Sequence, residues 1–92
     1  MNERTTYIYA LRDPRDGQVY YVGKSNSPRL RYVDHLADKN TNARKTAWID
    51  DLAAGGFKPQ MDILEAVPLS EWQQAEKNWI AFGWAHGWPL TN

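Results

Sequence analysis

An α+β domain with its elements in the order strand, strand, helix, helix, strand, helix is what this chain of 92 residues predicts, and three observations predict it. Tyr7-Ile8-Tyr9 and Tyr21-Val22-Gly23-Lys24 are strand-forming runs separated by a segment of turn residues. Helix-start signals follow at Ser27-Pro28 and at Asn40-Thr41-Asn42. An alternating run from Gln60 to Val67 then stops at Pro68, ahead of a last helix signal at Ser70.

The first two strands are expected to form a hairpin. Asp13-Pro14-Arg15-Asp16-Gly17 reads as a five-residue connection, which puts Arg12 opposite Gln18 and Tyr9 opposite Tyr21. Side chains alternate along a strand, so Tyr7, Tyr9, Leu11, Val19 and Tyr21 should share one face and Ile8, Ala10, Tyr20 and Val22 the other. Both faces are apolar or aromatic, and the hairpin should be covered on both sides. Gly23 has no side chain, which lets a backbone or a ligand approach the end of the second strand.

Ser27 is expected to cap the first helix with Pro28 at its first position, where the missing N–H is not needed, and the helix should run to about Lys39. Asn40-Thr41-Asn42 breaks it and offers the next cap. The apolar spacing from Thr46 to Ala53 then marks an amphipathic helix stopped by Gly55-Gly56. In the third strand Met61, Ile63 and Glu65 alternate with Asp62 and Leu64. Ser70 and Gln73 have the spacing of a capping box for a helix running to about Ala85, ended by Gly87 and Pro89.

A chain of this length is one domain, residues 1–92, with no repeat, linker or low-complexity segment. It lacks cysteine, which rules out a disulfide framework, a thiolate metal site and a thiol nucleophile. Met1-Asn2-Glu3-Arg4 leads into no apolar run of signal length and no stretch is long enough to cross a bilayer. The expectation is a cytoplasmic protein without a membrane partner. Eleven basic and eleven acidic residues cancel, but unevenly along the chain. Lys24, Arg29, Arg31, Lys39, Arg44 and Lys45 face only Asp34 and Asp38 in their segment, whereas from Trp48 onward two basic residues stand against six acids. Such a bias fits either a polyanion-binding surface or ordinary solvated helix faces.

Three sets of residues are candidates for chemistry. The paired tyrosines ahead of a basic helix look suited to holding a phosphate. Arg31 and His35, four apart on that helix, project from one face and either clamp a phosphate or are solvated while Tyr32, Val33 and Leu36 are buried. Glu76 lies in an apolar stripe with Trp72, Trp79 and Ile80, where a lone carboxylate costs several kcal/mol unless a metal ion or an arginine accompanies it. Most of the five tryptophans should be core, and His86 complements the end of the last helix. Two histidines and no cysteine make zinc a poor fit.

Taken together and in order, these residues resemble the GIY-YIG nuclease family over essentially the whole chain. Tyr7-Ile8-Tyr9 stands at its first signature and Tyr21-Val22-Gly23 at its second. The helix arginine falls on Arg31, a histidine found in part of the family on His35, the metal-binding glutamate on Glu76 and a late asparagine on Asn92. Tyr7 departs from the motif's glycine, a change of local packing, since Tyr9 is kept. The resemblance implies a small three-stranded antiparallel sheet flanked by three helices and metal-dependent hydrolysis of DNA phosphodiesters by an endonuclease.

The catalytic set it implies is Tyr9, Tyr21, Arg31, His35, Glu76 and Asn92, with one magnesium or manganese ion on Glu76. In this picture Tyr9 is the base, Tyr21 positions water or phosphate, and His35 contacts phosphate or assists the proton transfer. Lys24, Arg29, Arg44 and Lys45 are candidates for DNA backbone contacts. The neutral overall charge suggests that a second copy or a separate specificity domain supplies affinity. Two other readings compete: a non-catalytic nucleic-acid-binding module of the same fold, and a protein-interaction domain using the acidic, tryptophan-rich half.

Overall fold

The structure, a computed structural model, describes residues 4–37 and 42–92. Its elements are β1 (Thr5–Arg12), β2 (Val19–Ser25), α1 (Pro28–Ala37), α2 (Ala43–Ala54), β3 (Gln60–Pro68) and α3 (Trp72–Ala85). The strands form one antiparallel sheet in the order β2-β1-β3. The predicted α+β order β-β-α-α-β-α and the three-stranded sheet are therefore what the chain adopts. The expected extension of α1 to Lys39 and the break at Asn40-Thr41 lie outside the described residues.

The hairpin differs from expectation in register, for two reasons that add. Asp13 and Gln18, rather than Arg12 and Gln18, close the loop through a 2.9 Å backbone bond, with Gly17 at φ 74 completing the turn. A bulge then places an extra residue, Tyr20, between the Arg12–Val19 and Leu11–Tyr21 pairs. As a result Tyr9 lies opposite Gly23, not Tyr21. Val19 and Tyr20, which sit between the two slips, change faces. Val19 joins Ile8, Ala10 and Val22, and Tyr20 stacks on Trp48 with ring centroids 4.8 Å apart. A second bulge, at Leu64 between the Ile8–Glu65 and Tyr9–Ile63 pairs, turns Glu65 to the face opposite Ile63, where it accepts a hydrogen bond from Trp79 Nε1 at 3.0 Å.

Both faces of the sheet are covered, as the apolar pattern predicts. On one face Ile8, Ala10, Val22 and Val67 pack against Trp72, Ala75, Trp79 and Ile80 of α3. On the other, Tyr9 and Leu11 pack against Trp48, Ile49 and Leu52 of α2 and against Tyr32 and Leu36 of α1. The glutamate helix and the tyrosine-bearing face are thus on opposite sides of the strands, and their side chains can meet only around the edge at β2.

Asn42 caps α2 by accepting from Lys45 N at 2.9 Å. The predicted capping box at Ser70 does not form: a single 3-10 turn, Leu69–Glu71, leads into α3, which starts at Trp72 without a side-chain cap. The outer edge of β2 is closed by the last residues. Thr91 N–H donates to Tyr20 O at 2.7 Å, and the Asn92 amide makes two bonds to the backbone of Val22. Trp48, Trp72, Trp79 and Trp88 are buried or partly buried and Trp84 is exposed. His86 stacks on Phe82 and donates from Nδ1 to Phe82 O. Among the described residues, no helix is long and apolar enough to cross a membrane.

Asp13 ties the hairpin to α2. Its buried carboxylate accepts from the Arg15 backbone and side chain and from Trp48 Nε1 at 3.0 Å. The Arg15 side chain, more than burial opposes it, lowers the Asp13 carboxyl to about 2. A carboxyl depressed in the folded state contributes stability above its unfolded value of about 4 and loses it as pH falls from there toward 2. Asp13→Ala should cost about 1–3 kcal/mol in urea unfolding at pH 7, because it leaves the Trp48 N–H unsatisfied. The loss should shrink as the wild type is acidified through the same window.

Candidate active site at the edge of β2

Gly23 is the floor of the site. The phenol of Tyr9 crosses over it so closely that a Cβ there would lie 2.5 Å from Tyr9 Oη and 2.9 Å from Tyr21 Cε2. Only glycine allows the two tyrosines to meet above the strand. Their rings are 6.3 Å apart and tilted by 38°. The two phenols therefore come together as expected, although they are diagonal neighbours on one face rather than a directly opposed pair.

α1 supplies two groups to this cluster. Arg31 lies beside both phenols, and although burial opposes its charge, contact with Tyr9 and then Tyr21 holds the guanidinium above its ordinary value. His35 is fully buried, with Nε2 2.5 Å from Tyr9 Oη and Nδ1 2.9 Å from Lys45 Nζ. Both ring nitrogens are engaged, so the expected contact of His35 with a phosphate is not available. Its sequence spacing to Arg31 is correct, but α1 turns that side chain inward.

Lys45 is the clearest correction among the expected phosphate-contacting residues. It is 1% exposed and inside the domain, behind His35 and 5.4 Å from the ring centre of Tyr21. Arg29 and Arg44 are exposed as expected. Lys24 is half-buried, with Nζ 4.9 Å above the Trp72 ring and close enough to Glu76 to influence its titration. Asn92, expected in the catalytic set, has both its amide oxygen and its amide nitrogen occupied by Val22, at 2.9 and 2.7 Å, so it holds the strand next to Gly23.

Glu76 reaches the same edge from α3. It is half-buried, and burial pushes its carboxyl above the ordinary value while the charge of Lys24 pulls it partly back. The Glu76 charge in turn contributes to raising Tyr9. Tyr9 lies well above the usual phenol range, chiefly through burial and then the charge of Tyr21, with Arg31 opposing both. Among the described residues no hydrogen bond or ion pair holds the Glu76 carboxylate, and no cluster of three or more metal-ligating side chains exists. One desolvated, unclamped carboxylate suits a cation that keeps most of its water, as magnesium does. It does not suit a cation that needs a protein cage.

A small α+β domain with two phenols and a guanidinium together beside Gly23, and a lone carboxylate whose charge reaches Tyr9, has a nuclease-type fold. Residues 5–81 match the model of the GIY-YIG catalytic domain, and the chain belongs to that family. Its members are generally endonucleases that act on DNA. No curated protein and no solved structure matches the chain. Tyr7, in place of the motif glycine, lies beside Pro28, Arg29 and Tyr32 along an open apolar groove on the β3 side of α1, away from the Tyr9–His35 pair.

Proposed function

We propose that this chain is a divalent-metal-dependent DNA endonuclease that hydrolyses phosphodiesters with water as nucleophile. The placement of Tyr9 and Tyr21 over Gly23, with Arg31 beside both phenols and the charge of Glu76 reaching Tyr9 from α3, is the observation that supports this reading. A binding module has no chemical use for a desolvated carboxylate beside a phenol pair.

In this mechanism Glu76 would hold magnesium or manganese, which supplies Lewis-acid neutralisation of the scissile phosphate. Arg31 neutralises charge that develops on the equatorial oxygens as water attacks in line. Tyr9 acts as the base that takes the proton of the attacking water, and Tyr21 orients water or phosphate. His35 supports Tyr9 from behind and does not touch substrate. Arg29 and Arg44 contact the DNA backbone, so affinity falls with salt. With a net charge of zero, the domain binds DNA weakly alone, and a second copy or an attached specificity domain would add affinity.

Nicking of supercoiled plasmid at low salt with magnesium or manganese tests the reading. Arg31→Ala should slow single-turnover nicking by about 10²–10³-fold. Absence of metal-dependent nicking in the wild type, with DNA binding retained, would leave a binding module instead. The pH dependence follows from the direction of the Tyr9 shift. The active form of a base is deprotonated, and a phenol held above its usual value is protonated across neutral pH. The rate should therefore rise about tenfold per pH unit from pH 7 to 9. A plateau near neutrality would count against Tyr9 as the base.

A further inference from the structure

We propose that Lys45 is a positioning residue for the reaction: it fixes His35 in the tautomer protonated at Nε2, which makes Tyr9 Oη a hydrogen-bond acceptor on its buried side. The inference rests on the reading of Tyr9 as the base and concerns how that base is prepared.

The chemistry follows from the donor inventory. A lysine ammonium has three N–H donors and no lone pair, so at 2.9 Å from Lys45 Nζ the Nδ1 atom of His35 must be the acceptor. A neutral imidazole with Nδ1 accepting carries its proton on Nε2. That proton is then donated to Tyr9 Oη, 2.5 Å away. The alternative, an imidazolium, would place two cations in contact in a fully buried site. Lys45 is itself held in the interior against the face of the Tyr21 ring, 5.4 Å from its centre, as a cation prefers. The ring of His35 also packs edge-on against Tyr21 with centroids 5.0 Å apart. Among the described residues, the groups that face His35 include Tyr9 from β1, Tyr21 from β2 and Lys45 from α2, with Arg31 one turn earlier on its own helix.

Two consequences bear on catalysis. The hydroxyl proton of Tyr9 is directed away from His35, and Arg31 also faces the Tyr9 oxygen as a donor. His35 also cannot take that proton, because Nε2 already carries one and Nδ1 faces the ammonium. The proton of Tyr9 must leave on the side away from His35, and the phenolate it leaves behind receives the Nε2–H bond. The sequence-based expectation that His35 contacts phosphate or assists the proton transfer takes the form, in this proposal, of a fixed donor to Tyr9.

Nitrogen-15 NMR of the wild-type chain, labelled at histidine, reads the tautomer without requiring activity. His35 should show a proton on Nε2 and an unprotonated, hydrogen-bonded Nδ1 across neutral pH. Lys45→Met, of similar length but without a donor, should release the tautomer and slow single-turnover nicking about 10–100-fold, the usual cost of losing an orienting partner. His35 in that variant can protonate, adding a break to the acid side of the pH–rate profile that the wild type lacks. Lys45→Gln restores an N–H donor and should recover the Nε2 tautomer and most of the rate. A wild-type proton on Nδ1 overturns the assignment, even if Lys45→Met does not fold. So does a folded Lys45→Met variant with tautomer and rate unchanged. A wild type that never cleaves DNA but shows the Nε2 tautomer, lost in Lys45→Met, supports the assignment and overturns only the nuclease reading.

Discussion

Replacing Glu76 by glutamine is expected to abolish metal-dependent cleavage while leaving the fold as stable as before or more so. The carboxylate is the group at the site suited to hold the cation, and among the described residues it belongs to no cluster of three or more metal-ligating side chains. Losing the several kcal/mol that a Lewis acid contributes to the transition state corresponds to a fall of about a thousandfold or more. Stability should move the other way. A carboxyl raised above its unfolded value disfavours its charged form in the folded state, so it lowers stability as pH rises through that interval and continues to do so at neutral pH. Glutamine of the same shape removes that penalty.

Thermal melts of both proteins with and without manganese separate the two effects. The wild type should gain melting temperature with the ion, as any ligand that binds only the folded state produces. Glu76→Gln should melt at the same or a higher temperature without the ion and gain nothing from it. A variant that still nicks at near wild-type rates, or one that loses activity because it melts far lower, would remove Glu76 from the chemistry.

How much of this site can be read from the sequence differs by residue. Glu76 is legible because periodicity alone puts it between Trp72, Trp79 and Ile80, where a charge needs a reason. Tyr9 and Tyr21 share a face as the alternation predicts, despite a different register. The loop accounts for one residue of slip and the bulge at Tyr20 for another, and with a strand period of two the errors cancel for every residue beyond Tyr20. They do not cancel for Val19 and Tyr20, and those are the two that stand on the face opposite to the expected one. A bulge has no composition signal of its own here. It sets Tyr20 against Trp48, a residue of α2 that local pattern cannot bring into view.

The inward path of His35 and Lys45 is not legible for a related reason. Lysine is among the residues least often buried, so in a basic segment it is read as surface. Arg44 and Lys45 are neighbours in sequence with opposite fates: the helix turns one to solvent and the other onto the buried ring of His35. The available hint is periodicity, since Lys45 shares a helical face with Trp48, Ile49 and Leu52, all buried. Asn92 is located by family spacing, but spacing does not say that its amide would pair with a backbone. The Val22 bonds do.

Gly23→Ala should cost about a hundredfold in single-turnover cleavage and about 1–3 kcal/mol of stability, through displacement of Tyr9. The added methyl would lie 2.5 Å from Tyr9 Oη and 2.7 Å from Cζ, distances at which something must shift. Strand β2 resists moving outward because Thr91 and Asn92 hold its outer edge at Tyr20 and Val22. The phenol is the part left to move, and to do so it must give up its bond to His35. A displacement of about an ångström is enough to spoil alignment with an attacking water. Gly17→Ala is the matching control, since a methyl there would meet nothing within 4 Å, while the φ of +74 is one that an alanine tolerates poorly. It should lose about 1 kcal/mol and no cleavage rate per folded molecule. If both variants lose cleavage only in proportion to their stability, phenol placement above Gly23 does not limit the reaction; a loss confined to Gly23→Ala makes that glycine part of the machinery, through the space it leaves open.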